Sequence, residues 1–226
     1  MPDIAIPIVF PDYLIAVNTP KTKIRIPDLI PGFDLFPDEV DIPETKNKLP
    51  ELGHAGILFI NGKSGTTKYY EYGRYGGSLG SVRKLRIRDV KIQQGHPTKP
   101  TLTYTLSQIS VKSGQSGRIS GAYIEVPNKY KAMLEYARKR HLENRNKNRK
   151  PYDLLSNSCN HFMQGVLVAA GVKLPSMIDP RPNSFIEEIR DEFKDLDYNK
   201  SSHTLKIEDA PPSLALNIRI SQPASG

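Results

Sequence analysis

The period of the hydrophobic pattern changes near residue 127, and no other feature restricts the fold of this chain as much. Before that point come "GHAGILFI" (53–60), "TTKYYEYGRY" (66–75), "SVRKLRIRDVKI" (81–92), "TLTYTLSQISVKS" (101–113) and "RISGAYIEV" (118–126). These are short apolar runs or two-residue alternations rich in Ile, Val, Thr and Tyr, which is how strands read. After it, apolar residues recur every three or four positions. Tyr130, Met133, Leu134, Ala137 and Leu142 form one stripe within 128–146, and a second helix over 159–170 stops before Gly171. "NSFIEEIRDEFKDL" continues the pattern. Ser184 stands three residues before Glu187 as in a capping box, and Phe185, Ile189, Phe193 and Leu196 share a face. Strands followed by helices predict an α+β domain, an antiparallel sheet packed on helices.

The flanks read differently. Residues 1–52 are punctuated by proline, which disfavours helix interiors and central strands, so they are expected to form an extended arm with edge strands packed on the body. Residues 53–198 form the body, and 199–226 read as a loosely ordered tail with at most one late strand.

Composition narrows the function. The 226 residues suffice for a real core without staples, and one cysteine excludes both a disulfide framework and a cysteine-rich zinc site. No metal or cofactor is expected. "MPDIAIPIVFPDYLIAV" lacks the basic start of a signal peptide, and no apolar run approaches the ~20 residues that span a bilayer. The expectation is a protein made in the cytoplasm without a leader. The net charge of +8 is uneven, with five Lys/Arg against eight Asp/Glu in 1–50 and seventeen against four in 81–150. That basic middle is either a solvated face or a surface for an acidic partner such as an anionic wall polymer. Nucleic acid is not expected, because neither an RNP-type aromatic pattern nor zinc-finger spacing accompanies the charge.

The lone cysteine lies in "YDLLSNSCNHF", which begins at Tyr152. Ser156, Asn157 and Ser158 supply capping side chains directly before Cys159, and Phe162, Met163, Val166, Leu167 and Ala170 follow on its own stripe. Cys159 therefore sits in the first turn on the inward face. There the helix dipole and open N–H groups favour a thiolate, although a plain core cysteine fits the same place. A nucleophile needs a base. His161 is two residues on and faces elsewhere, while His96, His141 and His203 fall in polar surroundings. His54 opens a buried strand. A hairpin turn centred between Gly62 and Lys63 sets His54 opposite Glu71, whose carboxylate would orient the imidazole; a bulge would substitute Tyr70 or Tyr72.

"GHAGILFI", "YYEYG" and "YDLLSNSCNHF", in this order, resemble the circularly permuted branch of the NlpC/P60 and papain-like cysteine peptidases. The cysteine motif is similar to that of the PPPDE isopeptidases, with Ser158 in place of an asparagine, and the His-then-Glu hairpin to YiiX-type enzymes. The arm running into "LPELGHAGILFINGKSG" resembles bacterial type VI secretion effectors of this fold. The resemblance implies a permuted papain-like fold with Cys159 as nucleophile, His54 as base and Glu71 as orienting residue. It implies a peptidoglycan amidase or endopeptidase, delivered by a secretion machine to the periplasm of a rival cell and matched by an immunity protein. The Cys159 N–H is the expected oxyanion donor, and Asn157, Tyr152, Tyr70 and Tyr72 are candidates for a second donor or substrate contact. An isopeptidase, an LRAT-like acyltransferase or lipase, and a basic binding module with a structural cysteine remain the alternatives.

Overall fold

A seven-stranded antiparallel sheet carries the molecule, and its order is not the order of the chain. The computed structural model describes residues 1–16, 22–25, 39–42, 48–49, 53–75, 79–175 and 181–209. The strands are β1 (Asp3–Phe10), β2 (Ile15–Ala16), β3 (Thr22–Arg25), β4 (Glu39–Ile42), β5 (Lys48–Leu49), β6 (His54–Ile60), β7 (Thr67–Gly73), β8 (Ser81–Leu85), β9 (Ile92–Gln93), β10 (His96–Pro97), β11 (Ile119–Val126), β12 (Lys194–Asn199) and β13 (Thr204–Glu208). The helices are α1 (Lys99–Ser113), α2 (Tyr130–Leu142), α3 (Cys159–Ala169) and α4 (Pro182–Arg190), with a short 3-10 turn at Glu143–Arg145. The main sheet runs β13-β12-β11-β1-β6-β7-β8. The mixed α+β class with an antiparallel sheet against helices is as the sequence predicts.

Alternation along the strands splits the core in two. Ala5, Val9, Ala55, Ile57 and Phe59 face α2, α3 and α4, where Met133, Phe162, Val166 and Phe185 are fully buried. Ile4, Ile6, Ile8, Leu58 and Ile60 face α1 through Leu102, Leu106 and Ile109. Residue 171 adopts φ +78° after α3, as a glycine at the end of a helix does.

Several expectations give way. Residues 3–10 are a central strand, paired with β11 on one side and β6 on the other. Pro7 is accommodated because the β1–β11 ladder lapses at Ile6 and Pro7 and resumes at Ile8 opposite Gly121 in the same register. The missing N–H thus removes local pairing without displacing the strand. Residues 101–113 lie in α1; Leu102, Leu106 and Ile109 make a helical stripe that outweighs the strand propensity of the threonines and Val111. The 81–92 stretch is a strand only over β8 and β9. The helix over 184–196 begins at Pro182 with Arg181 as N-cap, so no Ser184 capping box forms, and it ends at Arg190. Leu196 and Tyr198 then alternate into β12, which pairs with β13. The tail therefore starts with a hairpin; residues 210–226, and the arm apart from β1 to β5 and Pro11–Leu14, lie outside the described residues.

Candidate active site

The hairpin of β6 and β7 supplies two groups. Its turn spans Asn61–Thr66, closed by Gly65 N–H to Asn61 O at 2.8 Å and Asn61 N–H to Thr66 O at 2.9 Å. Asn61 Oδ1 accepts from the backbone N–H groups of Lys63 (3.2 Å) and Ser64 (2.8 Å), which fixes the turn one residue later than the sequence reading. Glu71 consequently lies opposite Gly56, not His54. A shift of two in partner numbering keeps side chains on the same face, so His54 meets Glu71 on the diagonal. His54 Nε2 is 3.2 Å from Glu71 Oε2. Gly56 makes the geometry possible, because a Cβ there would stand 2.2 Å from the Tyr69 hydroxyl, which donates to the same Glu71 oxygen at 3.1 Å.

Glu71 is fully buried on the α1 side. Arg83 Nη1 lies 3.5 Å from its other oxygen, which accepts no hydrogen bond among the described residues, and the Tyr75 hydroxyl interacts with the same carboxylate. Burial alone would raise its pKa, but the His54 hydrogen bond and charge, with help from Arg83, hold it below the usual carboxylate range. The His54 ring stacks on Phe10 at 6.0 Å between centroids and meets Tyr13 at 5.1 Å.

Cys159 arrives from the opposite face. α3 packs on β6 and β7, and Ser158 precedes it in extended backbone without capping a backbone N–H. Its Oγ is instead 2.9 Å from His161 Nδ1, which engages the nearby histidine. Because β6 alternates, imidazole and thiol meet past the strand's first residue. His54 Nε2 faces Glu71, which leaves Nδ1 as the ring nitrogen open toward Cys159, whose thiol interacts with the imidazole. The Ala55 N–H also donates to Sγ.

Burial works against charge on both partners, and their mutual contact overcomes it. Burial would lower the His54 pKa, yet hydrogen bonds to Cys159 and Glu71 push it up to about 9. Burial would raise the thiol, but the His54 hydrogen bond and charge, followed by Ala55 N–H and Tyr152, bring it below the ordinary cysteine value. The pair thus favours thiolate and imidazolium.

The four remaining candidates separate by position. The Tyr152 hydroxyl is 4.0 Å from Cys159 Sγ, toward which it donates, and it accepts from the Cys159 N–H. Asn157 is buried, with its amide directed elsewhere. Nδ2 donates to the Tyr72 hydroxyl (2.8 Å), Pro151 O (2.8 Å) and Lys150 O (3.1 Å), while Oδ1 accepts from Arg140 Nη2 (3.0 Å). Tyr72 stacks on Tyr152 at 5.7 Å and braces it. Tyr70 stacks on Phe59 at 5.9 Å in the core, on the face away from Glu71. Sequence reasoning missed Tyr69, Tyr75 and Arg83 around Glu71, and Tyr13 over His54. Tyr69 and Arg83 were discoverable, because Tyr69 shares the face of Glu71 two residues earlier on β7 and Arg83 pairs with Glu71 across β8; Tyr13 depends on the central placement of β1.

Among the described residues, no three His, Cys, Asp or Glu side chains group as a metal site, and no helix is long and apolar enough to cross a membrane. The family model for type VI secretion system effectors of the TseH-like kind matches residues 5–174, a stretch that holds His54, Glu71 and Cys159. The chain belongs to this TseH-like effector family. A crystal structure of the type VI secretion system effector TseH superposes with a TM-score of 0.72 at 32% sequence identity, covering 92% of this chain and 98% of that one. No curated protein matches the chain. As a type VI effector, this TseH-like protein is cargo for a secretion machine that delivers it to target cells.

Proposed function

We propose that this TseH-like effector is a cysteine hydrolase of the permuted papain-like, NlpC/P60 kind, an amidase or endopeptidase that cuts peptide amide bonds in the peptidoglycan of the target cell. The observation behind the reading is the buried group in which Cys159 interacts with His54, whose Nε2 lies 3.2 Å from Glu71 Oε2. The Cys159 thiolate attacks the amide carbon. Cys159 N–H and the Tyr152 hydroxyl, which already meet each other, turn to the developing oxyanion. His54 gives its proton to the departing amine as the C–N bond breaks, leaving a thioester. Water then enters, His54 takes its proton, and the acid is released with the thiolate restored. Glu71 keeps the ring oriented and stabilises its charge throughout. A lethal activity of this kind in the periplasm calls for an immunity protein in the producing strain.

Incubating purified peptidoglycan with the protein and weighing the released fragments by mass spectrometry tests the reading. The wild type should release peptides, and Cys159→Ala and His54→Ala should each lower the rate by at least ~10³-fold while remaining folded. Intact peptidoglycan after exposure to active-site-competent protein would overturn it.

A further inference from the structure

Behind the Tyr72–Tyr152 stack lies a cavity of about 280 Å³ that the relay does not use. Its charged wall is Arg140, Arg149, Lys150 and Glu143, and Tyr72 and Asn157 close the side toward the nucleophile. Three cations thus face one carboxylate. Their existing partners differ. Arg149 is a framework residue: Nε donates to Gly80 O (2.8 Å), Nη1 to Asn144 O (2.9 Å) and Asn146 O (3.0 Å), and Nη2 to Ser81 Oγ (3.2 Å). Arg140 is not fully engaged. Nη2 donates to Asn157, and Nε stands 3.0 Å from Glu143 Oε2 but forms no hydrogen bond. Among the described residues nothing pairs with its Nη1, although the side chain is only 19% exposed. Lys150 Nζ gives a hydrogen bond to Ser156 O at 3.1 Å and has further donors to offer.

We infer that this cavity is a carboxylate-binding subsite that takes an acidic residue of the peptide presented to Cys159. A half-buried guanidinium with open donors matches a carboxylate in shape and charge, and the lysine adds a second cation at short range. The volume is near the lower end of ligand sites, ~300–1,000 Å³, which suits one side chain or chain end and not a polymer. The position ties it to the chemistry, because Tyr72 and Asn157 line the cavity and also hold the ring of Tyr152, whose hydroxyl reaches Sγ. Free carboxylates beside an amide bond are what a peptidoglycan stem peptide offers. The link to turnover rests on the hydrolase reading above; the binding itself does not.

Calorimetry on the Cys159→Ala protein tests it, with a synthetic stem tetrapeptide carrying free carboxylates and the same peptide fully amidated. At low salt the acid form should bind at least about tenfold more tightly, and 0.5 M salt should shrink the difference. Lys150→Gln in that background should cut the preference several-fold, and Arg140→Lys, which retains the charge but removes the fork, should also reduce it. Circular dichroism and thermal melting identify any variant that fails to fold, and Lys150→Gln, at an exposed position, then decides. Equal affinity for acid and amide, or an undiminished preference in folded Lys150→Gln, overturns the subsite. Wild-type protein that cleaves both peptides equally also overturns the subsite and leaves the hydrolase standing. Selective binding of the acid form with cleavage of neither leaves the subsite standing and overturns the hydrolase.

Discussion

Two buried polar side chains brace this site from opposite faces of the sheet, and they do so in opposite senses. Glu71, on the α1 side, is an acceptor bonded to His54 and Tyr69 through one oxygen, with Tyr75 and the Arg83 charge beside it. Asn157, on the α3 side, mainly donates, to Tyr72 and to the carbonyls of Lys150 and Pro151. The carboxylate keeps a charge inside the protein and hands its field to the imidazole. The amide carries no charge and fixes the ring wall behind Tyr152. One hub sets protonation, the other sets shape, and only the first should respond to pH.

The largest effect should come from the charged hub. Glu71→Gln keeps size and hydrogen bonding but removes the charge, and hydrolysis should fall on the order of 10²-fold. In a pH–rate profile the wild type should lose activity as pH rises through about 9, where His54 gives up its proton, and Glu71→Gln should move that limb toward the ordinary histidine value near ~6.5. An unmoved limb would show that Glu71 has no electrostatic hold on His54. The same shift has a sign for stability. His54 is raised in the folded state, so its contribution is complete below ~6.5 and is lost as pH climbs through about 9.

Tyr152→Phe sits between the two hubs, since the ring and its stack on Tyr72 survive while the hydroxyl near Sγ goes. A drop of about 10–10²-fold in kcat at nearly constant KM is expected from steady-state kinetics. The neutral hub should show itself in stability. Asn157→Ala orphans the Tyr72 hydroxyl and two carbonyls, and urea unfolding should register a loss of about 1–3 kcal/mol that is the same at pH 6 and pH 9. A pH-dependent loss would erase the contrast. The smallest change belongs to Arg83→Ala: the arginine side chain is 45% exposed, so removing its ion pair with Glu71 should cost below ~1 kcal/mol and leave the alkaline limb unlowered, since a cation has left the neighbourhood of the imidazolium.

Local signals in the sequence carried part of this. The helix stripe behind Cys159, the apolar strand opened by His54 and the turn that leads from it to Glu71 are read from neighbours, and the structure brings those residues together. The hairpin register was misjudged because Asn61 holds a longer turn, yet the error was even-numbered and left Glu71 on the correct face. What stayed hidden depends on distant partners. Pro7 argued against a central strand because nothing nearby shows that β11 and β6 would enclose it. Thr101, Thr103 and Thr105 carried strand propensity into α1, where burial of Leu102, Leu106 and Ile109 prevailed. The end of α4 was misplaced because Phe193 and Leu196 continue its spacing, while pairing of β12 with β11 claims Leu196.

The central place of β1 has a consequence for how the molecule assembles. On one side β6, β7 and β8 follow one another in sequence; on the other, β11, β12 and β13 do the same. The strands of each half are successive in the chain, and within the sheet the halves adjoin only through residues 3–10, while α3, inserted between β11 and β12, packs across onto β6 and β7. His54 and Glu71 belong to one half and Cys159 to the other. The earliest strand made therefore waits for residue 126 before its second edge is paired, and this long-range closure is the kind of step that slows folding. The relay waits longer still, because Cys159 follows β11 in the chain and reaches His54 only when α3 docks on β6 and β7.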